Sequence, residues 1–415
     1  TSGGKLFPYV NDAMYYILAR AGTTPVVVNL SYGTTSGPHD GSSDFETAMD
    51  AYIAARKAVN APLAVVLPSG NSRLLRGHAH FDLKAGAAKE LVWRILPDDA
   101  TPSHVEIWLP PKAGSGSNPA LEVKVTPPGN VEGPPIQEGQ PSLEWPTTGQ
   151  VLCQVTYINA SLTGHRGMIL ISVAPTATHD PLMDVAPSGT WKISLKNIGN
   201  APITDIRAWV RRDDTPYGYP QRGRQSRLED PGFAQFDDAG RQIEDDTPSA
   251  SDVRRDGTIN ALATGKRTIV VAGMRRDCWR PSNYAAGGVV VKPPGRGAPT
   301  DDGPDVTTVS DDSSIYNGLL GSGTRSGSIV AINGTSVAAP QITRWLVEQM
   351  AAGSGYERTD ATQFAKLGTP PSPWPNSMTE AAPPTAAPGL STLAPERVGD
   401  GRIEFPPRVD RQMER

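Results

Sequence analysis

The chain has 415 residues, 38% of them apolar, enough for one large core or two domains. Its 39 basic and 43 acidic residues give a net charge of −4, which argues against nucleic acid or an anionic membrane surface as partner. No apolar run approaches the ~20 residues of a membrane span, and no secretory signal is visible.

Residues 9–21 predict a helix, with Val10, Met14, Ile17 and Leu18 on one face and Gly22 beyond it. Val26-Val27-Val28-Asn29-Leu30 is a continuous apolar run, expected of a strand buried on both faces of a parallel sheet. It ends in Ser31-Tyr32-Gly33. A second helix is expected over 44–59, with Phe45, Ala48, Met49, Tyr52 and Ile53 inward. Leu63-Ala64-Val65-Val66-Leu67 predicts another buried strand, ending in Pro68-Ser69-Gly70-Asn71. Alternating helices and strands predict an α/β fold with a parallel sheet and helices on both faces, giving a first unit over 1–96. Chemistry in such sheets sits at the carboxyl ends of the strands, where Ser31–Gly33 and Pro68–Asn71 fall.

From about residue 97 the texture changes to Pro, Gly and short alternating runs. Strands are expected at 104–109, 121–125, 151–158, 167–173, 191–195 and 205–210, forming an antiparallel β-sandwich over 97–250. His78 and His80, either side of Ala79, read as solvated loop residues rather than metal ligands. Cys153 and Cys278 leave open a free pair or one disulfide.

The α/β texture resumes over 251–415, with a strand at Thr268-Ile269-Val270-Val271-Ala272-Gly273. Near the end, the apolar run Ile329–Ile332 leads into Asn333-Gly334-Thr335-Ser336-Val337-Ala338-Ala339-Pro340. Ile342, Trp345, Leu346 and Met350 then recur at helical spacing, with Gly353 as the expected C-cap. Pro340 is expected in an early helical turn, where a missing N–H costs nothing. Ser336 therefore falls at a helix N-terminus, where free N–H groups and the dipole favour negative charge. A serine there is ordinarily a cap; it also suits a nucleophile whose oxyanion needs donors. Residues 369–395, rich in Pro, Ala, Ser and Thr, read as an exposed excursion.

Gly334-Thr335-Ser336-Val337-Ala338-Ala339-Pro340 resembles the nucleophile motif of the subtilisin-like serine proteases, with every fixed position matched. Val27–Gly33 looks like the family strand whose edge pairs with extended substrate, and Val65–Asn71 like the pocket wall that ends in the oxyanion asparagine. Pro304-Asp305-Val306 is similar to the family's Pro-Asp-Val, though Thr307-Thr308-Val309 replaces the Ala-Pro-Gly expected next. Arg397–Ile403 resembles a closing Gly-rich strand. The resemblance covers 9–75 and 257–355 plus that piece. It implies Ser336 as nucleophile, Asn71 as oxyanion donor, and Ser31, Tyr32, Gly33, Pro68, Ser69 and Gly70 as substrate-binding residues. The implied partner is a peptide or protein substrate. No cofactor is implied; structural calcium fits the family, but no motif marks a site. The interval between Asn71 and Ser336 is far longer than in the simplest subtilisins. The clostridial spore germination proteases of the family carry a jelly-roll domain there. The compartment stays open, with a secreted or periplasmic place favoured over the cytoplasm.

The family's aspartate and histidine are not found. No strand ends in Asp-Ser/Thr-Gly, and none of His39, His78, His80, His104, His165 and His179 is followed by Gly-Thr. Two expectations follow. Either a segment upstream of this chain or separate from it, such as a cleaved N-terminal fragment, bears both residues, or the chain is a non-catalytic module that works through its β-sandwich.

Overall fold

The computed structural model describes residues 6–110, 120–159, 166–213, 222–246, 251–278, 280–288, 303–313, 315, 317–367, 395–398 and 403. Helix α1 (Leu6–Ala21) precedes β1 (Val26–Asn29); α2 (Asp44–Ala58) precedes β2 (Leu63–Pro68). Ser43 caps α2 by accepting the Glu46 N–H, and Arg56 and Lys57 sit in the last turn, where the dipole favours cations.

The chain then passes into antiparallel strands: β3 (His78–Leu83), β4 (Ala88–Ile95), β5 (Ser103–Trp108), β6 (Leu121–Thr126), β7 (Leu143–Trp145), β8 (Cys153–Ile158), β9 (Met168–Val173), β10 (Gly189–Asn197), β11 (Ile203–Val210), β12 (Arg227–Glu229) and β13 (Val253–Arg254). They form a four-stranded sheet, β12-β4-β10-β6, and a seven-stranded sheet, β13-β3-β11-β5-β9-β8-β7. Alternate residues of both point into one shared core, including Trp93, Trp191, Ile107, Ile171 and Ile206. Because β3 and β4 already pair within these sheets, the antiparallel part begins near residue 78 rather than at 97. Pro and Gly density, which marked the change at 97, tracks loops and misses two well-formed strands before it.

The chain returns through β14 (Ile269–Arg275) and β15 (Val306–Asp311), and a hairpin of β16 (Leu319–Ser322) and β17 (Ile329–Ile332) leads to α3 (Thr335–Ala351), α4 (Arg358–Leu367) and the short α5 (Pro395–Val398). The parallel sheet runs β1-β2-β14-β15. Alternation along β2 sorts its two faces. Leu63, Val65 and Leu67 pack with Met14, Phe45 and Met49 of α1 and α2; Ala64 and Val66 pack with Ile342, Leu346 and Ala361 of α3 and α4. The fold is thus mixed α/β, with a four-stranded parallel sheet beside a four-stranded and a seven-stranded antiparallel sheet.

Three expectations need correction. β1 is only half-buried; among the described residues it pairs with β2 alone and stands at the sheet's edge. His78 and His80 lie on β3, and His78 is fully buried against Trp209. Arg397 and Val398 end a helical turn rather than opening a strand; residues 399–402 of the expected closing strand lie outside the described residues, and Ile403 N–H donates to Thr307 O beside the sheet, at 2.9 Å. Both cysteines are free thiols; burial pushes Cys153 up to about 12. His165 and nearly all of the 369–395 stretch lie outside the described residues. Among the described residues no helix is long and apolar enough to cross a membrane.

Candidate functional site

The carboxyl ends of β1 and β2 meet the N-terminus of α3. Gly334 is the N-cap, with φ 118°, a value open to glycine at little cost. Ser336 is therefore the second helical residue and not the cap. It is half-buried, and its hydroxyl has no partner among the described residues.

Pro340 lies early in α3, which starts at Thr335, but past the first turn, so its missing N–H is not costless. Its absent N–H would have bonded to the carbonyl four residues back, that of Ser336. Ser31, just past β1, supplies the missing donor: its hydroxyl donates to Ser336 O at 3.0 Å. Asn29 Nδ2 donates to Ser31 Oγ at 3.0 Å and holds it there.

Asn71, exposed beyond the end of β2, is fixed from one side only. Its Oδ1 accepts the Thr335 N–H at 3.0 Å and the Thr335 hydroxyl at 2.9 Å. The same hydroxyl accepts the Gly70 N–H at 3.1 Å. With its oxygen so engaged, the amide Nδ2 has no hydrogen-bond partner among the described residues and lies beside Gly334, where a Cβ would stand 3.0 Å from it. Thr335 is fully buried and serves as the joint between β2 and α3. The sequence motif contains it but gives no sign of that role.

A second buried group supports the turn. Gly334 N–H donates to the Tyr284 hydroxyl at 2.8 Å, which in turn donates to Asp311 Oδ2. Ser282 and Ser310 donate to the same carboxylate. Burial, then the Asp311 hydrogen bond, pushes the Tyr284 phenol well up, so it stays protonated as a donor. None of these four residues was marked in the sequence, because polar residues spread over β14–β15 have no period to reveal them.

The remaining expected residues line the same end of the sheet. Ser31 and Tyr32 are exposed and Gly33 half-buried, while Pro68 and Ser69 are buried and Gly70 half-buried. Asn260 stands between the two stretches, donating to Tyr32 O and Pro68 O, both at 3.1 Å.

No described histidine is hydrogen-bonded to Ser336. His39 and His78 both stack on Trp209, with ring centroids at 4.1 and 4.9 Å. Burial drives both pKa values down, His39 to about 3. His80 pairs with Asp205, and His104 with Ser172 Oγ, its pKa lowered to about 4 by burial. Among the described residues, no group of three His, Cys, Asp or Glu side chains could hold a metal ion.

No protein-family model and no curated relative matches the sequence. Among solved structures, the CspB protease of Clostridium perfringens is similar, with a TM-score of 0.63 and 17% identity over 95% of this chain and 68% of that one. At that identity the likeness is one of fold.

Proposed function

We propose that the chain is the larger part of a subtilisin-like serine endopeptidase carrying an inserted, jelly-roll-like β-sandwich. On this reading the sandwich occupies about 78–254, and the hydrolase unit is made of the stretches on either side. Ser336 attacks the scissile carbonyl. Its own N–H, at the start of α3, and Asn71 Nδ2 hold the oxyanion, as preorganised donors beside developing charge do. Ser31–Gly33 and Pro68–Gly70 flank the extended substrate. The observation that carries the reading is the fixing of the Asn71 oxygen by Thr335, the residue next to Ser336 at the start of α3, which leaves the Asn71 amide N–H groups unpaired among the described residues.

A serine hydroxyl needs a base, and the base an orienting acid. On this reading a segment outside residues 1–415 supplies both. The edge of β1, unpaired among the described residues, gives it a place to add a strand next to the one ending at Ser31. The exposed Tyr9, Tyr15 and Tyr16 of α1, each more than 60% exposed, offer apolar surface on the same unit. The test is a fluorophosphonate probe on the chain supplied with that segment. Labelling confined to Ser336 and lost in Ser336→Ala, together with peptide cleavage, supports the reading; undiminished turnover in Ser336→Ala sinks it.

One observation favours a second reading, a non-catalytic module: no described histidine reaches Ser336. In that case the completed protein folds and binds peptide but never cleaves it.

A further inference from the structure

Gly33 and Gly70, one on each flanking stretch, have no side chains, and the space between them is filled by Asn260. A Cβ built on Gly33 would stand 2.4 Å from Asn260 Cγ and 2.5 Å from each of its amide atoms. A Cβ on Gly70 would meet the Asn260 backbone nitrogen at 3.5 Å and its Cβ at 3.7 Å. Asn260 is 3% exposed and fully bonded. Its Nδ2 donates to Tyr32 O and Pro68 O, one carbonyl on each side. Its Oδ1 accepts the N–H groups of Leu262 at 3.0 Å and Thr34 at 3.3 Å, and its own N–H donates to Ser69 O at 2.7 Å.

An incoming side chain cannot push this amide aside without stranding two carbonyls and two N–H groups, each costly to leave unpaired. The amide is therefore a fixed floor. We infer that Asn260 sets the substrate class of the proposed protease: the pocket between Gly33 and Gly70 admits glycine or alanine before the scissile bond and rejects aromatic and long aliphatic side chains. This rests on the proposed use of the two stretches as pocket walls, and it concerns binding, whether or not Ser336 is activated.

The test is isothermal titration of the full chain with two product-like peptides identical except for a C-terminal Ala or Phe. The Ala peptide should bind at least roughly tenfold more tightly, the discrimination a tight apolar pocket achieves per unaccommodated methylene. Asn260→Gly should erase or invert that ratio, and Asn260→Ala should move it part of the way. Adding Gly33→Ala to Asn260→Gly puts a methyl back into the vacated space and should restore the preference for Ala. Thermal melts of all variants confirm that each is folded; if Asn260→Gly is not, the Asn260→Ala ratio decides. Equal binding of both peptides by the unaltered chain, no binding of either, or a ratio indifferent to Asn260 overturns the inference. A protein that shows this selectivity yet never hydrolyses peptide keeps the pocket and sinks only the protease reading.

Discussion

The Ser31 hydroxyl donates to the carbonyl of Ser336, the one acceptor in α3 that Pro340 leaves without its helical partner. The bond ties the end of β1 to the first turn of α3 across the sheet's carboxyl edge. Thr343, one turn after Pro340, donates to Asn29 Oδ1 at 3.4 Å, and Asn29 in turn orients Ser31. A proline inside the helix thus becomes a fixed point between two elements.

Ser31→Ala should cost about 0.5–1.5 kcal/mol, the net worth of one hydrogen bond. In a Pro340→Ala background the helix supplies its own donor at residue 340, so the same substitution should cost almost nothing. A urea-unfolding double-mutant cycle measures the coupling. Equal penalties in both backgrounds would show that water already satisfies the Ser336 carbonyl.

Asn71→Ala should lower kcat of the completed protein by about 10²–10³ with little change in KM, the loss that follows removal of one oxyanion donor in subtilisin. Thr335→Val removes the hydroxyl that joins Gly70 to Asn71 and leaves the Asn71 amide free to rotate. It should lower kcat less than Asn71→Ala does, and add little in the double variant, since both act through one donor. Steady-state kinetics of the four proteins read this out. Additive losses would mean that Thr335 does not act through Asn71.

Strong periodicity made part of this legible from sequence. β2 and α3 are apolar at the right spacing, so their place could be read directly; the bonds that tie Asn71 to Thr335 at the start of α3 could not. β15 could not: all six of its residues are buried, yet four of them are Thr307, Thr308, Ser310 and Asp311. The Ser310 hydroxyl and the Asp311 carboxylate serve the Tyr284 cluster under the turn rather than an apolar core, and periodicity sees only apolar side chains. His78 was misjudged for a related reason. Its burial depends on Trp209, far along the chain, stacking on its ring. Asn260 gave no local signal either, because its partners lie on stretches that only the fold brings together.

The His39–Trp209–His78 stack predicts acid sensitivity at the junction between the loop after β1 and the antiparallel sheet. His39 Nδ1 and His78 Nε2 are buried without partners, so neither ring gains anything from protonation. Arg207 opposes the charge at both, and Arg166 adds to this at His39. Folded pKa values below the unfolded 6.5 mean that the neutral rings' stabilisation is fully present above about pH 6.5 and is lost as pH falls, for His39 towards about 3. Each ring can withdraw up to about 1.4 kcal/mol per pH unit in that window. Replacing His39 by Gln keeps a donor for Thr35 O without the titration. Melting temperatures from pH 7 to 5 should fall more steeply for the unaltered protein than for His39→Gln. Parallel curves would refute the assignment.

The edge of β1, unpaired among the described residues, carries the last prediction. Residues 1–415 alone should hydrolyse peptides barely or not at all, because removing the base from a Ser-His-Asp unit costs about as much as removing the whole unit. The three valines of β1 are only half-buried, a state that a further strand would change by covering them. A segment bearing the acid and the base, supplied in cis or by co-expression, should therefore raise the melting temperature and switch on hydrolysis together. The two effects separate the readings. A gain in stability without turnover favours the non-catalytic module, with the segment as a structural strand. Full turnover by residues 1–415 alone would mean that a histidine within the chain serves as base. His39 and His78 are locked on Trp209, so that base would have to come from elsewhere, and substitution of His80, His104, His165 and His179 one at a time would identify it.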